Sequence, residues 1–172
     1  AALADEAKSS TDVVFVPAFG GLGAPYWDDT AVGTVSQLSL STERADLARA
    51  ALDSVAMQIA DVFEALNEAG VVRTETLVDG GMARNTSLVS AIANASGASV
   101  LVADAAHASA VGAADLAGLS VGLWTMNDLN SRQSTYRRVE PEQSADVRQD
   151  KRAKWKIAVQ RSREYGYDRR GK

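Results

Sequence analysis

Two short apolar runs, Thr76-Leu77-Val78 and Val100-Leu101-Val102, are separated by a single helix-length segment, and a second such segment follows them. Two strands joined by one helix make a crossover unit, and such strands are parallel neighbours in one sheet. The pattern therefore predicts adjacent parallel strands at 76–79 and 100–103, with helices 43–69 and 107–119 both touching them. The first strand ends in Asp79-Gly80-Gly81. The helix after it is predicted from about Asn85 to Ser96, with Leu88, Val89 and Ile92 inward and Gly97 as its stop.

The flanks carry further elements. Val13-Val14-Phe15-Val16 reads as a buried strand halted by Pro17, and Gly33–Leu40 alternates like a half-exposed strand. Between them lies a glycine-rich loop, Phe19 to Asp29. Ser41 or Thr42 is placed to cap a long helix ending at Gly70. Its expected inward stripe is Leu47, Leu52, Val55, Ile59, Val62, Phe63 and Leu66. A helix tail is expected to end near Ser10, and Asp104 lies just beyond the second parallel strand. A helix starting at His107 is rich in Ala and Gly, which lets another backbone approach closely. Residues 125–140 read as a polar connection. A last helix is predicted over 141–166, with Val147, Trp155, Ala158, Val159 and Tyr165 inward and a fraying tail from Gly166.

Composition narrows the chemistry. The 172 residues are 46% hydrophobic and 23% charged, which suits a globular chain with a real core. With 22 acidic and 18 basic residues the net charge is −4, which argues against a dedicated nucleic-acid binder. There is no cysteine, so disulfides, thiolate nucleophiles and thiolate metal sites are excluded, and a reducing cytoplasmic setting is expected. The lone histidine, His107, excludes a His-pair metal site. No apolar run approaches the roughly 18 residues of a membrane-spanning helix, so no membrane association is expected. Charge is uneven: from Arg137 onward there are 12 basic and 6 acidic residues. The expectation is a basic amphipathic C-terminal helix resting on an acidic body; a docking surface is the alternative.

The strongest local signal is Leu77-Val78-Asp79-Gly80-Gly81-Met82-Ala83-Arg84-Asn85. Without Cβ atoms, Gly80 and Gly81 let the backbone pass close beneath a flat or anionic ligand. The helix behind them points free N–H groups and a partial positive charge at the same place. Asn85 can cap that helix or hydrogen-bond a ligand. Alone, the Gly-Gly pair reads as ordinary strand-to-helix punctuation.

Neighbouring segments change that reading. Phe19-Gly20-Gly21-Leu22-Gly23-Ala24-Pro25-Tyr26-Trp27-Asp28 resembles a stretch characteristic of the FGGY carbohydrate kinase family, in its glycerol-phosphorylating branch. Ala45 to Asp53 is similar to the family's second signature helix. Val78-Asp79-Gly80-Gly81 through Asn85 resembles the adenosine motif shared with the wider sugar kinase, heat-shock protein and actin superfamily. Ala110–Leu119 and Trp155–Ser162 resemble the two helices that follow. The likeness runs from about Val13 to Arg163, with five motifs in order.

The resemblance implies an α/β, actin-like ATPase (ribonuclease H-like) domain with a small, partly parallel sheet flanked by helices. It implies that residues 1–172 form a C-terminal nucleotide-binding domain lacking its earliest strands, with the N-terminal kinase domain absent and one sheet edge unprotected. It implies ATP and Mg²⁺ as cofactors and glycerol or a related polyol as acceptor, contacted through that missing domain. Gly80, Gly81 and Asn85 are the implied nucleotide-binding residues; no catalytic residue and no metal ligand is assigned to this chain. The lone chain is expected to be inactive. The alternatives are another FGGY sugar kinase of xylulose or gluconate type, or a non-catalytic interaction module; a homo-oligomer is left open. Asp28 and Asp29 read as structural rather than as a catalytic pair, and Asp79 as a local cap. Gly20, Gly21 and Gly23 read as shaping a cleft more than as cradling a phosphate. Val32, Gln37, Asp29 and His107 depart from the family's usual arginine, glycine, proline and glutamate.

Overall fold

The computed structural model describes residues 2–7, 12–71, 75–103, 108–132 and 135–170. The chain order is α1 (Ala2–Asp5), β1 (Val14–Val16), β2 (Thr34–Ser36), α2 (Arg44–Glu68), β3 (Thr76–Val78), a 3-10 turn (Gly81–Arg84), α3 (Thr86–Ser96), β4 (Val100–Ala103), α4 (Ala108–Ser120), α5 (Met126–Asn130), β5 (Tyr136–Val139) and α6 (Ala145–Arg170).

Two small sheets result. β1 and β2 form an antiparallel pair, and the other sheet has the order β3-β4-β5. β3 and β4 are parallel, with Thr76 opposite Val100 and Val78 opposite Val102, as the crossover pattern requires. β5 closes the far side antiparallel to β4. β5 and α5 were expected to be part of a polar connection. Tyr136-Arg137-Arg138-Val139 has no apolar alternation and stays mostly exposed, so only its backbone ladder makes it a strand. On the other side β3 has no strand partner among the described residues, and Leu77 on it is 56% exposed.

The core lies between α2, α3, the two sheets and α6, with Val16, Val89, Val100 and Trp155 almost fully enclosed. α3 matches its expectation: Leu88, Val89 and Ile92 are buried and Gly97 caps it at φ +68°. α2 does not. Its deepest face is Ala45, Asp46, Ala50, Ser54, Ala56, Met57, Ala60 and Asp61, while Leu52, Val55 and Ile59 are only partly buried and Leu47 is exposed. Small side chains on that face let neighbouring backbones come close, which pushes the larger ones to the flank.

Further expectations are corrected. α4 was expected to touch β3 and β4, yet Val111 and Leu116 are exposed and its packing is chiefly local. There the Trp124 indole donates to the Asp115 carbonyl, and Arg132 pairs with the Asp115 carboxylate while lying over the Trp124 ring. α2 likewise packs on α3, α1 and β1 rather than on the parallel strands. In α6, Trp155, Ala158 and Val159 are buried as expected, joined by Ser162, but Val147 and Tyr165 are exposed. At 3.6 residues per turn those two fall about 80° round the helix from Trp155, at the outer edge of the buried stripe. The helix also continues to Arg170 instead of fraying from Gly166, which is buried against the backbone of Thr30 and Ala31.

The basic segment rests on acidic residues of the body, as expected. Arg152 pairs with Asp61 and Glu64, Lys154 with Asp12, Lys156 with Glu64 and Arg163 with Asp28. α6 is a basic strap on an acidic body. Ser10, Asp104 and His107 lie outside the described residues, so the readings placed on them have no structural counterpart.

Candidate nucleotide site and its polar surroundings

β3 delivers the chain to Asp79 at the carboxyl end of the parallel pair, the side of an open α/β sheet on which ligands gather. Gly80 then adopts φ +93°, ψ 178°, a region open in practice only to glycine. Gly81 opens the 3-10 turn, and Asn85 ends it and begins α3. A Cβ at Gly80 or Gly81 would meet nothing within 4 Å. The chain's own packing therefore gives no reason for glycine at 81; the position is simply bare backbone on an open shelf. Asn85 Oδ1 accepts the Leu88 N–H at 3.2 Å, leaving the Nδ2 donors outside that cap. Capping and ligand binding were alternatives in the sequence, and the geometry is compatible with both at once. The three candidate residues thus lie on one short turn, with Gly80 and Gly81 exposed beside Met82 and Asn85 half-buried at its end.

The glycine-rich loop has a different character. Gly21 has φ +88°, and a Cβ there would lie 2.6 Å from the Asp28 carbonyl oxygen, so backbone crowding requires the glycine. Leu22 and Asp28 exchange backbone hydrogen bonds at 2.7 and 2.9 Å. Asp28 Oδ1 accepts from the Thr30 N–H and hydroxyl, and Oδ2 accepts from Arg163 Nε at 2.7 Å. The Arg163 and Thr30 hydrogen bonds hold the Asp28 carboxyl well below the usual range. Asp28 is a clasp between loop and α6, in line with its structural reading. The loop presents Phe19 and Trp27 to solvent, at 83% and 81% exposure.

Sequence reasoning missed one cluster entirely. Asp61, 3% exposed, accepts the Trp155 indole N–H at 2.7 Å and pairs with Arg152 at 2.7 Å. Arg152 also donates to the Met57 carbonyl and to Glu64. Lys156 donates to Glu64 and, with Arg152, lowers its carboxyl against the opposing effect of desolvation. Burial pushes the Tyr26 hydroxyl upward, assisted by the Asp61 charge. The one hint in the sequence is that Asp61 sits on the inward side of an otherwise apolar helix, a place where a carboxylate needs a partner. Among the described residues no three carboxylate or histidine side chains converge as a metal site.

The chain matches the C-terminal domain of the FGGY family of carbohydrate kinases over residues 1–121. A Bordetella parapertussis glycerol kinase is 40% identical over 164 residues, covering 94% of this chain and 32% of that protein. A Deinococcus radiodurans glycerol kinase is 41% identical, covering 97% of this chain and 34% of that protein. Among solved structures, Plasmodium falciparum glycerol kinase with ADP superposes with a TM-score of 0.80 at 28% identity, over 94% of this chain and 33% of that one. A Rhodospirillum rubrum xylulose kinase gives 0.78 at 25% identity, over 96% and 34%. The fold is therefore that of the actin-like ATPase sugar kinases. The chain belongs to the FGGY family of carbohydrate kinases. It spans about a third of the length of the curated relatives it matches.

Proposed function

We propose that this chain supplies the nucleotide-binding wall of an ATP-dependent polyol kinase, with glycerol as the acceptor in the intact enzyme. The supporting observation is the turn after β3: a Gly-only conformation at Gly80, a bare Gly81 and a half-engaged Asn85 on one outward shelf. Two relatives about 40% identical are glycerol kinases, and a neighbour of the same fold carries ADP. The donor set fits a nucleotide: Gly81 offers backbone contact, Asn85 Nδ2 donates a hydrogen bond, and Gly80 makes the turn between them. Bound ATP supplies the transferable γ-phosphoryl group. The chain's own part is positioning, which in phosphoryl transfer carries much of the catalysis. In this reading Mg²⁺ enters on the nucleotide phosphates rather than on a protein cage, and the polyol contacts and the base for its hydroxyl proton belong to the portion of the relatives beyond this match. A cytoplasmic setting follows from the same reading.

The test is equilibrium titration of the chain with ADP and ATP. A Cβ at Gly81 meets nothing within 4 Å, so a folded Gly81→Val variant that loses nucleotide binding locates the ligand at that shelf. Unchanged binding in both Gly81→Val and Asn85→Ala would overturn the assignment.

A further inference from the structure

A second site lies away from the nucleotide shelf. Between β1, the first half of α2 and the first half of α6 there is a cavity of about 520 Å³, within the range of small-molecule sites. It exists because α2 turns Ala50 and Ser54 toward it, side chains too small to fill the wedge between β1 and α6. Val13, Val14, Phe15, Met57 and Trp155 give it apolar walls. Trp155 is 1% exposed and its indole is anchored on Asp61, so that wall is rigid.

The rim is polar and its charges do not balance. Asp12, Asp53, Asp146 and Asp150 line it against Lys151 and Lys154. Lys154 is shared between Asp12 and Asp150, at 2.7 Å from each, so one ammonium faces two carboxylates. Arg49 neutralises Asp53 at 2.7 Å. Lys151 and Asp146 offset each other in sign. One negative charge is left over beside an apolar slot.

We propose that this cavity binds an amphipathic organic amine, its apolar body between Phe15, Met57 and Trp155 and its ammonium at the Asp12–Asp150 rim, where one lysine faces two carboxylates. Apolar burial supplies most of the affinity, and the carboxylates select the head group. A matched carboxylate would meet the same walls with the wrong charge. This inference stands apart from the nucleotide reading, since no residue is shared.

Hexylamine, hexanol and hexanoate, equal in chain length, are the probes. Calorimetric titration of the 172-residue chain is expected to show hexylamine binding about tenfold tighter than hexanoate, with hexanol between. Emission of Trp155, isolated by Trp27→Phe and Trp124→Phe, is expected to shift on hexylamine addition. Asp150→Asn should lower the amine preference several-fold and leave hexanol unchanged. Ala50→Leu should fill the slot and abolish binding of all three. Because that variant crowds the core, Val147→Trp at the exposed mouth provides a second block that leaves the packing alone. No saturable binding of hexylamine, equal affinity for hexylamine and hexanoate, or undiminished binding in Val147→Trp would each overturn the proposal.

Discussion

The indole N–H of Trp155 donates to the Asp61 carboxylate across 2.7 Å, joining residues 94 positions apart at the point where α6 crosses α2. Both side chains are almost wholly enclosed, and Arg152, with a side chain 14% exposed, neutralises the same carboxylate. A buried carboxylate is tolerated only when its charge and lone pairs are met, and here one residue meets the charge and another the hydrogen bond. The strap helix is thereby fixed in both register and rotation.

Asp61→Ala leaves the indole without an acceptor and removes one of the two carboxylates that Arg152 pairs with. The expected loss is about 3 kcal/mol, read as a lower urea midpoint with unchanged slope. Trp155→Phe, which keeps the ring but orphans one carboxylate oxygen, should lose less, about 1–2 kcal/mol.

At the shelf, two substitutions separate stability from binding. Asn85→Ala removes the α3 cap and should cost about 1 kcal/mol of stability, together with a several-fold loss of nucleotide affinity. Gly81→Val should weaken nucleotide binding strongly while leaving the thermal midpoint within a few degrees, since a Cβ there meets nothing within 4 Å. Thermal melts with and without ADP measure both quantities.

Asp28 sets a pH dependence. Its folded pKa is depressed by Arg163 and Thr30, so its contribution is present above the ordinary aspartate value of about 4 and is lost as pH falls below it. Asp28→Asn should therefore be less stable than the parent at pH 7, with the gap closing as pH drops from about 5 toward 2. A gap that widened on acidification would contradict the clasp.

Gln37 takes φ +62° at the end of β2, where the family resemblance has glycine. The left-handed region costs a side-chain-bearing residue about 1 kcal/mol or more, and glycine gives part of that back through its freer unfolded chain. Gln37→Gly should stabilise by about 0.5 kcal/mol, measurable in paired denaturant curves.

On its own, the chain should not phosphorylate glycerol. The reaction needs a base and a water-excluding cleft, and on the proposed reading Gly80, Gly81 and Asn85 contribute only one open wall. Coupled detection of ADP release with glycerol, Mg²⁺ and ATP should stay at background; robust turnover would require a base within this chain, with Asp28 the first to test.

Much of the fold was legible in the sequence because local rules governed it. The period of α3, the Gly97 stop and the strand–helix–strand spacing each depend on residues a few positions apart, and each appeared as expected. The Gly80-Gly81-Asn85 turn was legible for the same reason: a strand end, two glycines and a cap fall within a few residues of one another. What the sequence alone determined was thus the crossover unit, the sign of the charge on α6 and the family. Tertiary structure decided the rest. Which face of α2 is deepest depended on how close α3 and β1 come, which no helical period encodes. β5 is a strand only because β4 offers a free ladder, and α4 stays exposed because no described element covers it. Asp61 found Trp155 and Arg152 from across the molecule. A buried charge announces its need in sequence, but its partner is chosen by packing, because the free energy of pairing arises only once both are withdrawn from water.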